Sequence, residues 1–313
     1  MNDKTMYFAN FNITFGENES PMLEYFEDII FPAFTADYVR GKPSEPQYFF
    51  RDVKISEIDD DYLLVGNYIK STHYEVYTTI QNNELIGKRS NIPTAPYSRF
   101  IIFLKNHRMV LVKNEPSSPD IRSFQLTFNT ILRQYLRQQR RKTNDKNKYP
   151  QAKVNIVDIP SKENLEKQLK NVSKIQRMQV RLFPLNNDLD ASPVLDGVRT
   201  EMEKLGSSKS SIQFNSPKNK SGIYDFVDTS SGLASIQLFV TDTDGTTKKI
   251  ENDKFSAHMK IPVDDNITPS MDERFIEYAK KNPTICEVSS ENSKLYTSIS
   301  KKGIFEKIKE MLK

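Results

Sequence analysis

The sequence predicts an α+β protein: an N-terminal antiparallel β-meander with packed helices, followed by a second, α/β-sandwich-like domain. Three observations carry this. Between Phe49 and Lys113, short runs rich in Val, Ile, Tyr and Phe alternate with polar links. Directly after them, the helix-length segment Ser118 to Lys142 is apolar on one side and arginine-rich on the other. Beyond Ala152, strand-like and helix-like periodicities succeed each other in the order β-α-β-α-β.

Taken in order, Met6–Phe15 is a strand by its Tyr, Phe and Ile content. Ser20-Pro21 then supplies an N-cap with proline at the first helical position. Leu23, Phe26, Ile29 and Ile30 form the buried face of that helix, and Pro32 is expected to close it. Strands are predicted at Phe49–Ile58, Tyr62–Lys70, His73–Gln81, Glu84–Lys88, Ser98–Leu104 and Met109–Lys113. The links Asp59-Asp60-Asp61, Asn82-Asn83 and Lys105-Asn106-His107-Arg108 have the composition of hairpin turns. Ser118-Pro119-Asp120 opens the arginine helix, whose Ile121, Phe124, Phe128, Ile131 and Tyr135 face the core.

The polar stretch that follows, ending in Pro150, reads as a mobile linker. The expected division is a β-rich domain over 1–142 ending in the basic helix, a linker over 143–151, and a second α/β domain over 152–313. Within the second domain, Ala152–Ile159 is a strand, Ser161–Val172 a helix and Arg177–Leu185 a strand. A helix from Ser192-Pro193 to Gly206 and a strand Ser208–Asn215 complete the sandwich. Lys218–Gly232 reads as a long loop. Leu233–Thr241 and Phe255–Val263 read as a hairpin-like pair, with helices near Ser270–Lys281 and Lys301–Lys313.

At 313 residues the chain is long enough for two cores, and 19 Phe with 14 Tyr supply large buried areas. No apolar run reaches the ~18–20 residues that span a bilayer, and the first residues carry neither a basic nor an apolar signal region. A lone Cys286 and histidines at only 73, 107 and 258 make no cluster of zinc spacing. The expectation is a soluble, cytoplasmic protein without membrane partner, metal or cofactor. The absence of P-loop, dinucleotide-binding and nucleophile-elbow patterns argues against the chemistries they serve.

Charge is unevenly placed. Glu17 to Glu84 holds fourteen acidic residues against five basic ones. Arg133 to Lys148 holds seven basic residues against the single Asp145, a local +6 in a chain of net +4. On a helical projection Arg122, Arg133, Arg137 and Arg140 lie within about 60° of one another, with Arg141 beside them. Lys142, Lys146 and Lys148 extend the stripe. A stripe with almost no acid to neutralise it predicts nucleic-acid or other polyanion binding through phosphate contacts, without catalysis. A sensor or DNA-engaging subunit of a bacterial antiviral defence or mobile-element system would need such a module. A solvated helix face and an acidic protein partner are the alternatives, and an acidic region meeting a basic helix in another subunit would make a homo-oligomeric scaffold.

Smaller patterns carry further expectations. Tyr62, Leu64, Tyr68 and Lys70 share one face of a strand, which suits either base stacking or a sheet packed on both sides. Asp59-Asp60-Asp61 with Glu57 could hold a metal or be a solvated turn. Asp242-Thr243-Asp244-Gly245 is a hairpin turn that resembles the start of a calcium loop. His258-Met259-Lys260 with Asp265 satisfies H-x-K-x4-D, the spacing found in phospholipase-D-like nucleases and lipases. That resemblance implies imidazole as nucleophile and lysine as phosphate stabiliser, hence a metal-independent phosphodiesterase or nuclease. Asn266-Ile267-Thr268-Pro269 stands where a small-residue segment follows in that family.

Overall fold

The computed structural model describes residues 3–81, 83–186, 192–263 and 266–311. Strands β1 (Asp3–Phe15) and β2 (Ser20–Pro21) precede a short irregular helical stretch and α1 (Phe31–Thr35). The meander β3 (Gln47–Ile58), β4 (Asp61–Gln81), β5 (Glu84–Thr94), β6 (Tyr97–Phe103) and β7 (Arg108–Lys113) leads into α2 (Ile121–Thr143). Then come β8 (Ala152–Asp158), α3 (Lys162–Leu169), β9 (Val172–Leu182), α4 (Pro193–Lys204), β10 (Ser210–Asn215) and α5 (Lys220–Thr229). Strands β11 (Ser235–Asp242), β12 (Thr247–Glu251) and β13 (His258–Pro262) follow, and α6 (Asp272–Ala279), α7 (Pro283–Cys286), α8 (Ser290–Lys301) and α9 (Ile304–Met311) close the described chain. The architecture is α+β, as the sequence predicts.

The larger sheet has the order β13-β1-β7-β6-β4-β3, with β2 and β8 beside β1 and β5 beside β4. Every pairing in it is antiparallel. Helices cover both faces, which is why β6 and β7 are buried almost without alternation. On one face an aromatic cluster ties α1 and α2 to the strands: Phe34 stacks on Phe128 at 4.2 Å, and Phe124 meets Phe50 at 5.1 Å and Phe100 at 5.3 Å. Such ring pairs add about 0.5–1.5 kcal/mol each beyond their area. Tyr68 belongs to this core; its hydroxyl lies 2.7 Å from Thr127 Oγ1 and donates to Ser123 Oγ at 3.2 Å, and burial pushes its pKa up to about 12. The stacking-platform alternative for that strand therefore fails, because Leu64 and Tyr68 are covered by helices.

Gly66 makes the close approach of β4 to Phe100 possible. A Cβ built there would lie 2.6 Å from Phe100 Cζ and 2.9 Å from Val53 Cγ2, both in packed rings or branches with no room to yield. Gly66→Ala is expected to lower the unfolding free energy by about 1–3 kcal/mol in a urea titration, the usual cost of overpacking.

The opposite face buries Met6, Phe8, Ile101 and Val110 against Phe275 and Ile276 of α6 and Ile285 of α7. Beneath it runs an ion pair. Arg99 donates through Nε to Asp272 Oδ1 at 2.9 Å and through Nη2 to Oδ2 at 2.6 Å, and Nη1 donates to Asn67 Oδ1 at 3.1 Å.

These contacts correct the expected division at 143–151. β8 pairs with Ala9–Phe15 and β13 with Asp3–Tyr7, so strands from beyond the supposed linker complete the first sheet. Helices α8 and α9 reach the aromatic core through Tyr296, Ile299, Phe305 and Ile308. Nor is the linker without an apolar anchor: Tyr149 is buried, and its carbonyl accepts from Arg140 Nε at 2.6 Å. The separable unit is the smaller sheet, order β10-β9-β11-β12, whose one face is covered by α3, α4 and α5. It enters and leaves at a single place, where Pro160 bridges Ser256 and Ser161 N donates to Phe255 O at 2.8 Å.

Other expectations change locally. β4 runs unbroken where two strands were expected, and the helix after Ser20 passes Pro32, which sits in the first turn of α1 and needs no donor there. The stretch 218–232 contains α5, capped by Asn219, whose side chain accepts from Gly222 N. The expected pairing of Leu233–Thr241 with Phe255–Val263 does not form; β11 pairs with β9 and β12, while β13 pairs with β1.

Candidate nucleic-acid interface

Helix α2 starts where Asp120 caps it, the carboxylate accepting from Ser123 N at 2.8 Å. Ile121, Phe124, Phe128, Ile131, Leu132, Tyr135 and Leu136 are buried, which fixes the rotation of the helix and turns its basic side outward. It ends at Asn144 in the left-handed conformation, with Arg140, Arg141 and Lys142 in the last turn, where cations offset the negative end of the dipole.

The eight basic residues do not act as one stripe. Arg133, Arg137 and Arg141 are exposed at i, i+4 and i+8, side by side over about 12 Å of helix. Among the described residues they form no ion pair, and neither does Lys142. Over ~12 Å a DNA duplex carries about seven phosphate charges, so the row is long enough to meet several of them. Arg140 is turned aside to Tyr149 O, and with Lys146 and Lys153 it lines a cleft of about 660 Å³ beside Gly16 and Tyr25. Lys146 and Lys148 are exposed on the adjoining loop, Lys148 lying 5.8 Å from the Tyr149 ring. Arg122 stands about 16 Å away along the helix and reaches Glu251 of the smaller sheet at 3.7 Å.

Arg122 thereby borders a second cleft, of about 680 Å³, between α2, β8 and the uncovered face of the smaller sheet. Gln179, Arg181 and Ser211 project into it from that sheet, opposite Gln125 and Asp158. Of the predicted basic stripe only Arg122 lines this cleft; its residues come from six separate stretches of sequence. Burial, with the carboxylates of Asp253 and Asp120 adding to it, pushes Asp158 up to about 7. Such a carboxyl holds its proton more tightly folded than unfolded. Its contribution to stability is intact below the ordinary carboxylate range and is lost as pH rises towards 7. Asp158→Asn is expected to raise the thermal midpoint by several degrees at about pH 8 and to leave it nearly unchanged at about pH 4.

In the acidic turn, three of the four carboxylates meet a lysine of their own: Asp59 pairs with Lys280 at 2.6 Å, Asp61 with Lys105 at 3.0 Å and Glu57 with Lys309 at 2.7 Å. Among the described residues no group of three His, Cys, Asp or Glu could hold a metal ion, and no helix is long and apolar enough to cross a membrane. Asp242–Gly245 is the β11–β12 turn, with Gly245 N donating to Asp242 O at 3.1 Å.

His258 and Lys260 share one side of β13, opposite Tyr7 and Thr5 of β1. Lys260 Nζ donates to Thr5 Oγ1 at 2.9 Å, and His258 Nδ1 lies 3.1 Å from Ser256 O. Neither residue lines the clefts described above, and Asp265 lies outside the described residues.

The chain matches no protein-family model, no curated protein and no solved structure.

Proposed function

We propose that this protein binds nucleic acid through its phosphate backbone, using the outer row Arg133, Arg137 and Arg141 with Lys142, Lys146 and Lys148, and that it does so without catalysis. The observation that supports this is the row itself: guanidinium groups held in line by a buried helix face, with no carboxylate against them. Arginine forks suit phosphate oxygens, and backbone contact of this kind tolerates sequence. Arg122, held at Glu251, and Arg140, held at Tyr149 O, are left out of the contact set. A cytoplasmic chain of this type would serve a bacterial defence or mobile-element system as the subunit that engages DNA or RNA.

Fluorescence anisotropy with a labelled DNA duplex, an RNA duplex and poly-glutamate, between about 50 and 200 mM salt, tests the reading. Six neutralised phosphates, one for each basic residue of this set, give a slope of about −5 in log K against log salt. Absence of binding, or a flat slope, overturns it. Equal affinity for poly-glutamate would move the assignment to an acidic protein partner.

A further inference from the structure

From Thr72 onward β4 leaves the larger sheet, since β3 and β6 pair only with its earlier residues, and it continues as a two-stranded ribbon with β5. The ribbon keeps register from Thr72↔Thr94 to Gln81↔Glu84, except that β5 takes three steps where β4 takes two between Val76 and Thr78. Alternation along β4 therefore holds, and the two sides of the ribbon differ. One side carries Glu75 and Tyr77, whose hydroxyl donates to Glu75, and Arg89 stands 4.0 Å from the same carboxylate. Those three polar groups answer one another, and Ile86 stands across from Thr79 on the same side. The other side carries Tyr74 across from Ile92 and Ile80 across from Leu85, with Val76 between them and threonine, serine and glycine at the remaining paired positions. Those four side chains are 66, 52, 71 and 75 % exposed respectively.

We infer that this apolar side is covered by the same side of a second copy of the chain. The two ribbons stack antiparallel about a two-fold axis near Val76, so that the Tyr74–Ile92 pair of one copy rests on the Ile80–Leu85 pair of the other. Three features of this side select the occupant. The side holds a large apolar pair at each end and a small one at the centre, so it is complementary to itself under a two-fold rotation, the condition for an isologous contact. Among the described side chains it carries no charge, so those side chains do not select an acidic or basic partner. Its four large side chains offer roughly 500 Å² per copy, and about 1,000 Å² for a pair reaches the lower bound of specific interfaces. A lone two-stranded ribbon is marginal in water, and stacking on another turns it into a four-stranded, two-layer unit with a dry interior.

The test is the mass in solution by light scattering across a dilution series. The intact chain is expected at twice its 36.3 kDa, and the Ile80→Glu, Leu85→Glu double variant at 36.3 kDa with an unchanged far-ultraviolet spectrum. A second measurement does not depend on that variant folding. In a Cys286→Ser background, Val76→Cys is expected to give a disulfide-linked dimer on mild oxidation, and Glu75→Cys, on the other side, to stay unlinked. A wild type that is monomeric at every concentration overturns the inference, whether or not it then binds phosphatidylcholine vesicles. So does a folded double variant that remains dimeric, or linking at residue 75 in place of 76.

Discussion

Asp272→Ala is expected to lower the free energy of unfolding by about 3–5 kcal/mol. The carboxylate accepts two hydrogen bonds from Arg99, at 2.9 and 2.6 Å, and both side chains are almost fully covered. Removing it leaves a guanidinium buried with only Asn67 for a partner. Attraction between the two charges is not the source of the effect; leaving one of them unanswered is. The double change Arg99→Met, Asp272→Leu is accordingly expected to recover most of the loss, since apolar residues of similar volume replace buried ion pairs at little cost. Urea unfolding followed by circular dichroism measures both. A loss below about 1 kcal/mol for Asp272→Ala would mean that water reaches Arg99 and that α6 sits less firmly on the sheet.

Reversing Arg133, Arg137 and Arg141 to Glu together is expected to weaken duplex binding at least about 100-fold and to make the salt slope shallower by about 3. Each charge-assisted contact to a phosphate contributes at least about 1 kcal/mol, and the three positions are exposed, so the fold is expected to persist. The matched control replaces Lys218, Lys294 and Lys301, exposed and outside α2, by Glu. It makes the same change in net charge. Equal losses in the two variants would show that overall charge, and not the helix row, governs retention.

Local features of the fold are legible in the sequence because their partners are neighbours. Asp59 and Asp60 both adopt positive φ, 52° and 63°, the geometry of a tight hairpin turn, and that composition betrays the β3–β4 corner. Asp120 and Ser192 mark the starts of α2 and α4 by side-chain caps that need only the next three residues. What stays hidden is paired over long distances. Nothing near His258 announces that its strand lies against residues 3–7, and α5 is masked by a composition of Lys, Ser, Gly and Asp in which only Ile223 and Val227 are buried. The same holds for the candidate site. Charge density locates the basic end of α2, but the diversion of Arg140 to Tyr149 O and of Arg122 to Glu251 depends on a loop return and on the smaller sheet.

The two-sided use of β1 has a consequence for how the chain is made. Residues 3–7 leave the ribosome about 250 residues before the strand that covers one of their edges, residues 258–262. At about 5–20 residues per second, that edge waits on the order of 10–50 seconds for its partner. During this interval the nascent protein exposes a hydrophobic central strand with open hydrogen-bonding groups, a template on which two unfinished chains can pair. The smaller sheet, whose pairings lie wholly within residues 172–251, can close first. Slow synthesis or truncation before residue 258 therefore leaves this edge open longest, and chaperone capture of arrested chains should map to residues 3–7.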